Sequence, residues 1–410
     1  MLYLLLLTII TSFIPVSWAS PAGFVSAADA VVIVFVVCAC ASAMVNRLHN
    51  RVDLSVLALS LAALACIYVS QYLNDVLELV NVLIKYSIFL VLIPTAIFAS
   101  RLSLDTTKLD EHLAKALAFG GTMLCIIVLV QIARGQHLYS EDGTYHILLL
   151  EQRVNKNAIG SLLTFAVSGA SWLAIIYRAR VYAVLSLFFF AVTLFISARS
   201  ATLIDLLLLL YFFVYLRGFQ PSRVLAIGVV FSIVLGTFGL ILSTGVLDAQ
   251  LERLTQITEL NTSNVTASTS RILLWDFAWQ KFQDAPIFGN GYGTFSYIGS
   301  GWLNGMYEPH DSVLQILYAG GLIGFLAFAA LILRSLLKNN RHPASVLLNL
   351  LMLGYLFNSL VAIIWIRGEG HLFWSLCFLK AVPIPQRSRR SKQPNARPRL
   401  AGSNLTPLSR

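Results

Sequence analysis

In a chain of 410 residues that is 58% hydrophobic, the segment EPHDSVLQILYAGGLIG, residues 308–324, sets His310 and Asp311 directly ahead of a run apolar enough to cross a bilayer. A titratable imidazole beside a carboxylate is costly at a membrane edge. With an unperturbed pKa of about 6.5 it can serve as a general base at neutral pH. The alternative is a histidine that caps or packs the start of a helix. Two arginines invite the same question. Arg199, in FISARSATLIDLL, lies between two apolar segments with almost no loop, so it needs a partner or must snorkel to the headgroups. Arg271, in STSRILLWDFAWQKFQDAP, follows Ser268–Ser270. If these serines cap a helix, Arg271 falls in its first turn, beside free backbone N–H groups. Such a terminus suits an anion, and a guanidinium can hold phosphate bidentately. The alternative there is an interfacial arginine. Two cations and a base on one side of a membrane suit a substrate with a lipid-linked diphosphate leaving group. Side-chain cations can neutralise the charge that a metal would otherwise meet. No metal or cofactor is expected. Cys38, Cys40, Cys66, Cys125 and Cys377 all lie in apolar spans without ligand spacing and read as small buried hydrophobes.

The elements that must position these residues are membrane helices. Only 12% of the chain is charged, against roughly 25% in a soluble domain, and the mean hydropathy is +0.77. The expected fold is an all-α polytopic membrane protein with twelve spans: 1–18, 25–45, 54–70, 79–99, 113–133, 157–177, 181–198, 200–216, 224–245, 311–333, 344–366 and 371–384. The first is read as a span and not a cleaved signal peptide, because it lacks a basic leading region. With the N-terminus in the cytoplasm, the inside segments hold 20 of the 29 Lys and Arg, as the positive-inside rule requires. The cations on the outside are then Arg134, Arg153, Lys156, Arg199, Arg253, Arg271, Lys281 and Arg367, with Lys85 inside a span. Residues 1–384 form one transmembrane domain. Residues 385–410 are a basic tail, expected to be disordered against anionic lipid in the cytoplasm. No nucleic-acid module is indicated.

The large outside loop, 246–310, is expected to hold a helix up to about Leu260, an irregular NTSNVTASTS linker and a second helix ending before Pro286. Ile272, Trp275, Trp279 and Phe282 share one stripe of that second helix, which suits a membrane interface. The following FGNGYGTF has no strand before it, so it is no dinucleotide fingerprint. It reads as a flexible turn that could let backbone approach a ligand.

Taken together, SARSATL around Arg199, SRILLWDFAWQKFQDAPIFGNGYGTF (270–295) and HDSVLQILYAGGLIG (310–324) resemble the bacterial O-antigen ligases and related polysaccharide polymerases. The family pattern of a histidine followed at fixed spacing by G-x-x-G is met by His310 and Gly321–Gly324, with Asp311 standing where Asn, Ser or Gln is usual. The similarity runs over roughly residues 150–370, with a weaker match at EQRVNKNAIG, which holds Arg153.

The resemblance implies a metal-independent, inverting glycosyltransferase of the bacterial inner membrane, working at the periplasmic face in lipopolysaccharide synthesis. It implies a donor glycan on undecaprenyl diphosphate and a lipid A–core acceptor. Arg199 and Arg271 would bind the diphosphate and His310 would be the catalytic base, with Arg153 and Asp311 as further candidates for substrate binding. A polymerase or oligosaccharyltransferase is the alternative within that class. A transporter is the alternative outside it, although the chain shows no internal repeat and its unusual residues gather at one face.

Overall fold

The computed structural model describes residues 2–14, 17–20, 23–46, 54–76, 80–100, 109–134, 137–139, 145–149, 152–196, 198–212, 267–292, 294–295, 311–337, 344–359 and 368–381. Helix α1 (Leu2–Thr11) leads into a hairpin, β1 (Ser17–Ser20) and β2 (Gly23–Ser26). Then follow α2 (Ala27–Asn46), α3 (Leu54–Leu73) and α4 (Val80–Ser87), the last running through a π turn (Ile88–Leu92) into α5 (Ile93–Ser100). After α6 (Leu109–Ala133) comes an antiparallel sheet of β3 (His137–Tyr139), β4 (Tyr145–Leu149) and β5 (Gln152–Asn155). The remaining helices are α7 (Lys156–Ile176), α8 (Arg180–Phe195), α9 (Arg199–Leu210), α10 (Ala267–Asp284), α11 (Ser312–Leu337), α12 (Ala344–Ser359) and α13 (Gly368–Ala381).

Among the described residues, six helices are long and apolar enough to cross a membrane. The protein is thus an α-helical, polytopic membrane protein, to which two small sheets are added. The expected ninth span (224–245), the first part of the long loop and the basic tail lie outside the described residues. The first expected span, 1–18, is corrected. Helix α1 stops at Thr11, tight turns bring Phe13 N–H to Ile10 O and Ile14 N–H to Thr11 O, and Ser17 begins a strand. The sequence reason is Pro15, which disfavours helical backbone at the residue before it and cannot donate within a helix.

Helix α7 is the hub, buried from Ile159 to Ala174 and packed on α6, α8, α9 and α12. Small residues make that possible, because in lipid close backbone approach replaces the hydrophobic drive. A methyl built on Gly169 would lie 2.8 Å from Leu117 Cβ and 2.9 Å from Ala114 O. One built on Gly160 would lie 2.5 Å from Ala198 Cβ and 2.9 Å from Ala201 Cβ. The π turn of the fourth span follows from Pro94, whose ring occupies the place of an N–H aimed at Leu90 O. Ser60 Oγ of α3 donates to that carbonyl instead. Across the bundle, Tyr292, Tyr86, Phe328 and Trp374 form a chain of rings with centroids 5.1, 5.9 and 5.8 Å apart, in the offset and edge-on arrangements that aromatic quadrupoles favour.

Candidate functional site

Position 199 is the first residue of α9, reached from α8 through Ile196–Ala198, so the turn is as short as the sequence implies. Ala198 N–H closes onto Thr193 O (3.3 Å), and Ala198 O accepts from both the N–H and the hydroxyl of Thr202 (2.9 and 3.0 Å). Gly160 admits this corner against the second turn of α7. Strand β5, which carries position 153, runs straight into α7. The backbone therefore brings positions 153 and 199 to the same end of the same helix group.

Position 271 lies on α10, which begins at Ala267, ahead of the expected serine cap. It therefore falls in the second turn, past the free N–H groups of the first, and the argument from a helix N-terminus weakens accordingly. Ala267 to Ser270 are small and polar residues, which a first helical turn accommodates. The helix docks on α11 through buried Leu274 and Ala278. Phe277 meets Phe295 edge-on at 5.4 Å, and Phe295 meets Tyr318 at 5.1 Å. Trp279 remains 44% exposed, its ring tilted against that of Phe282 at 5.2 Å.

The GNGY turn departs most from expectation. It approaches not an open ligand site but the backbone of α11, where Gly321 leaves helical geometry at φ 60°, ψ −163°. In a straight helix the N–H groups of residues 322 and 323 would bond the carbonyls of 318 and 319. Here they bond the loop. Leu322 N–H donates to Pro286 O (2.8 Å) and Ile323 N–H to Ile287 O (3.2 Å). In return Asn290 N–H donates to Tyr318 O (2.8 Å) and Gly291 N–H to Ala319 O (3.0 Å). The loop is spliced into the gap of a broken helix, roughly 12 Å along from Ser312 at 1.5 Å per residue. Irregular backbone at such depth is stable only when buried and paired.

Helix α3 completes the pairing. Ser70 Oγ donates to Ala319 O (2.5 Å), Gln71 Nε2 to Tyr292 O (2.5 Å) and Asn74 Nδ2 to Gly289 O (3.0 Å). A side chain at Gly321 would overlap Ile287 O, and one at Gly289 (φ +72°) would lie 2.5 Å from Ala319 C. Tyr292 fills the space above Gly320 and Gly324. Burial raises its phenol above the ordinary value, and among the described residues its hydroxyl has no hydrogen-bond partner.

Asp311 caps α11, its Oδ1 accepting from Leu314 N–H at 2.9 Å. Partial burial raises its carboxyl above the usual range, while the N–H groups of Leu314 and Val313 pull the other way. His310, immediately before it, lies outside the described residues. At the level of whole helices, α9 packs on α12, α12 on α11, and α11 on α10.

Two polar groups escaped the sequence reading. Asp29 of α2 bonds His371 Nε2 of α13 at 2.7 Å and pairs with Lys85 of α4. Ser26 N–H (2.6 Å) and its hydroxyl (2.8 Å) donate to the same carboxylate, and Ser26 Oγ accepts from Asp29 N–H (3.2 Å), which is a capping box. S-x-x-D ahead of an apolar run, and a lone lysine inside a span, were the available signals. Asp205, the one acid of α9, is fully buried beside Thr164 and Thr193. Those hydroxyls donate to Gly160 O and Phe189 O of their own helices. A carboxyl inside RSATLIDLLLLL is itself a signal in a membrane chain.

Residues 185–329 match the O-antigen ligase family. That stretch contains positions 199, 271 and 310, the spliced turn and the kink, and excludes Arg153. This stretch of the chain is thus similar to the O-antigen ligases. Proteins of Rickettsia conorii and Rickettsia felis, each named "Putative polysaccharide ligase", are 25% identical to it over 138 residues. The match covers 29% of this chain and 33% of each relative, so the chain matches about a third of their length.

Proposed function

We propose that this protein is an O-antigen ligase, transferring a glycan from undecaprenyl diphosphate to lipid A–core at the periplasmic face of the inner membrane. The observation that carries the reading is that a single family match spans both arginines and the histidine. The packing of the described helices is compatible with it, since α9 packs on α12, α12 on α11 and α11 on α10. In the reaction the acceptor hydroxyl oxygen attacks the anomeric carbon and the bond from that carbon to the phosphate oxygen breaks, with inversion. His310 takes the hydroxyl proton. Arg199 and Arg271 hold the diphosphate and stabilise the charge that develops on it, as preorganised cations do in a water-poor site. Arg153, at the end of α7 nearest position 199, and Asp311 beside His310 are assigned to the substrates' periphery.

A deletion strain tests the class. Bare lipopolysaccharide core with lipid-linked glycan of normal length accumulating supports a ligase, whereas single-repeat caps with no long chains would make the protein a polymerase. In the purified protein, His310→Ala should leave folding intact while transfer falls by about 10² to 10⁴. Unchanged specific activity would end the assignment of the base.

A further inference from the structure

The spliced turn bears on catalysis through one side chain. Asn290 touches three elements at once. Its N–H and Nδ2 both donate to Tyr318 O in the first half of α11, at 2.8 and 3.2 Å. Its Nδ2 also donates to Lys281 O in the last turn of α10 (2.9 Å), and its own carbonyl accepts from Thr294 Oγ1 (3.1 Å). The helix that carries position 271 is therefore tied to the half-helix that begins two residues after position 310. The side chains of Gln280 and Lys281, by contrast, bond within α10 itself, to Asp276 and Asp284. α10 also packs on α11, with Leu274 and Ala278 buried and Phe277 edge-on to Phe295, but apolar burial sets its position along α11 less sharply, because dispersion and burial are not directional. Directional bonds fix that register, and α3 anchors them to the bundle through Ser70, Gln71 and Asn74.

We propose that Asn290 is a positioning residue for glycan transfer, setting the separation between the diphosphate-binding position on α10 and the base at the start of α11. The proposal rests on the ligase reading above. Donor binding and acceptor binding each depend on one side of the tie, whereas the rate of transfer depends on both sides being held at the reacting distance. A misplacement of about 1 Å can cost on the order of 10²-fold in rate with binding little changed.

The test uses the full-length protein in nanodiscs, with lipid-linked glycan as donor and lipid A–core as acceptor. Two variants are compared with the parent: Asn290→Ala, which removes the side-chain donors, and Asn290→Asp, which turns an acceptor toward two carbonyls. The expected result is a kcat lower by roughly 10- to 100-fold, with both KM values within about threefold of the parent and the folded fraction unchanged. Amide exchange should rise at 287–292 and 318–323 and nowhere else. Parental kcat in both variants overturns the proposal. So does a loss of activity that only tracks the folded fraction, which would make Asn290 a stabilising residue without a positioning role. Failure of the ligase reading looks different: the parent itself transfers nothing, while the amides of the Asn290→Ala protein still loosen.

Discussion

At the scale of single residues, charge alone does not define the roles assigned to Arg271 and Asp311. A lysine at 271 would keep a point charge but lose the planar fork that grips two phosphate oxygens. Arg271→Ala should therefore lose far more transfer activity than Arg271→Lys, and equal, negligible losses would return Arg271 to an interfacial anchor. Asp311 makes a prediction about pH. Burial raises its folded-state pKa, so the folded protein binds the proton more tightly than the unfolded chain, whose value is about 3.9. Its stabilising contribution is then full below the unfolded pKa and declines as pH rises through the folded one. Asn caps a helix as well as Asp and carries no charge. Asp311→Asn should flatten that part of the stability profile, with a midpoint at neutral pH equal to or above the parent's, whereas Asp311→Ala should cost about 1 kcal/mol. Thermal unfolding from pH 4 to 8 decides it, and a steeper profile in the Asn variant would count against this account. The carboxylate beside His310 was visible in the sequence. Its residue type alone does not say whether it serves the helix or a ligand, because a cap and a ligand contact draw on the same oxygens.

At the scale of elements, the G-x-x-G pattern separates into two unequal glycines. Gly321 sits in a backbone region that is essentially reserved for glycine, with Ile287 O where a side chain would begin. Gly321→Ala should prevent folded protein from accumulating in the membrane. Gly324 meets only the Tyr292 hydroxyl, at 3.2 Å, so Gly324→Ala should cost under about 1 kcal/mol, less still when combined with Tyr292→Phe. Folded yield and unfolding midpoint read both outcomes, and comparable damage from the two substitutions would refute the asymmetry. The sequence shows these glycines inside an apolar span and those of FGNGYGTF as a flexible turn, two separate features. Nothing in their spacing says that one fills the break in the other, since that pairing joins segments about 30 residues apart through backbone groups, which every sequence carries alike. The helices were far more legible. Apolar runs of spanning length state their own structure, and α1 ends early because Pro15 outweighs hydropathy there.

At the scale of the whole molecule, the bundle is pinned at one end by charges whose partners lie far apart in sequence. Asp29 meets Lys85 across 56 residues and His371 across 342, so pattern reading could flag each as misplaced in lipid but could not pair them. The pin joins α2, α4 and α13, and Tyr86, next to Lys85, packs on Tyr292 of the spliced turn. The ion network and the splice therefore belong to one packed end. A buried pair of this kind is worth little against an apolar replacement, yet removing one member strands the other, at about 3–5 kcal/mol. Lys85→Met should accordingly destabilise the protein strongly, because Asp29 keeps only His371 and Ser26. Adding Asn at position 29 in the same chain removes the stranded charge while leaving an amide that can still accept from Ser26, and should recover most of the loss. Neither variant should alter the KM for donor or acceptor in the protein that folds, since neither residue is assigned to substrate. Unfolding midpoints in one detergent compare the two. A double variant no more stable than Lys85→Met would mean that the lysine contributes through the packing of its methylene stem and not through its charge.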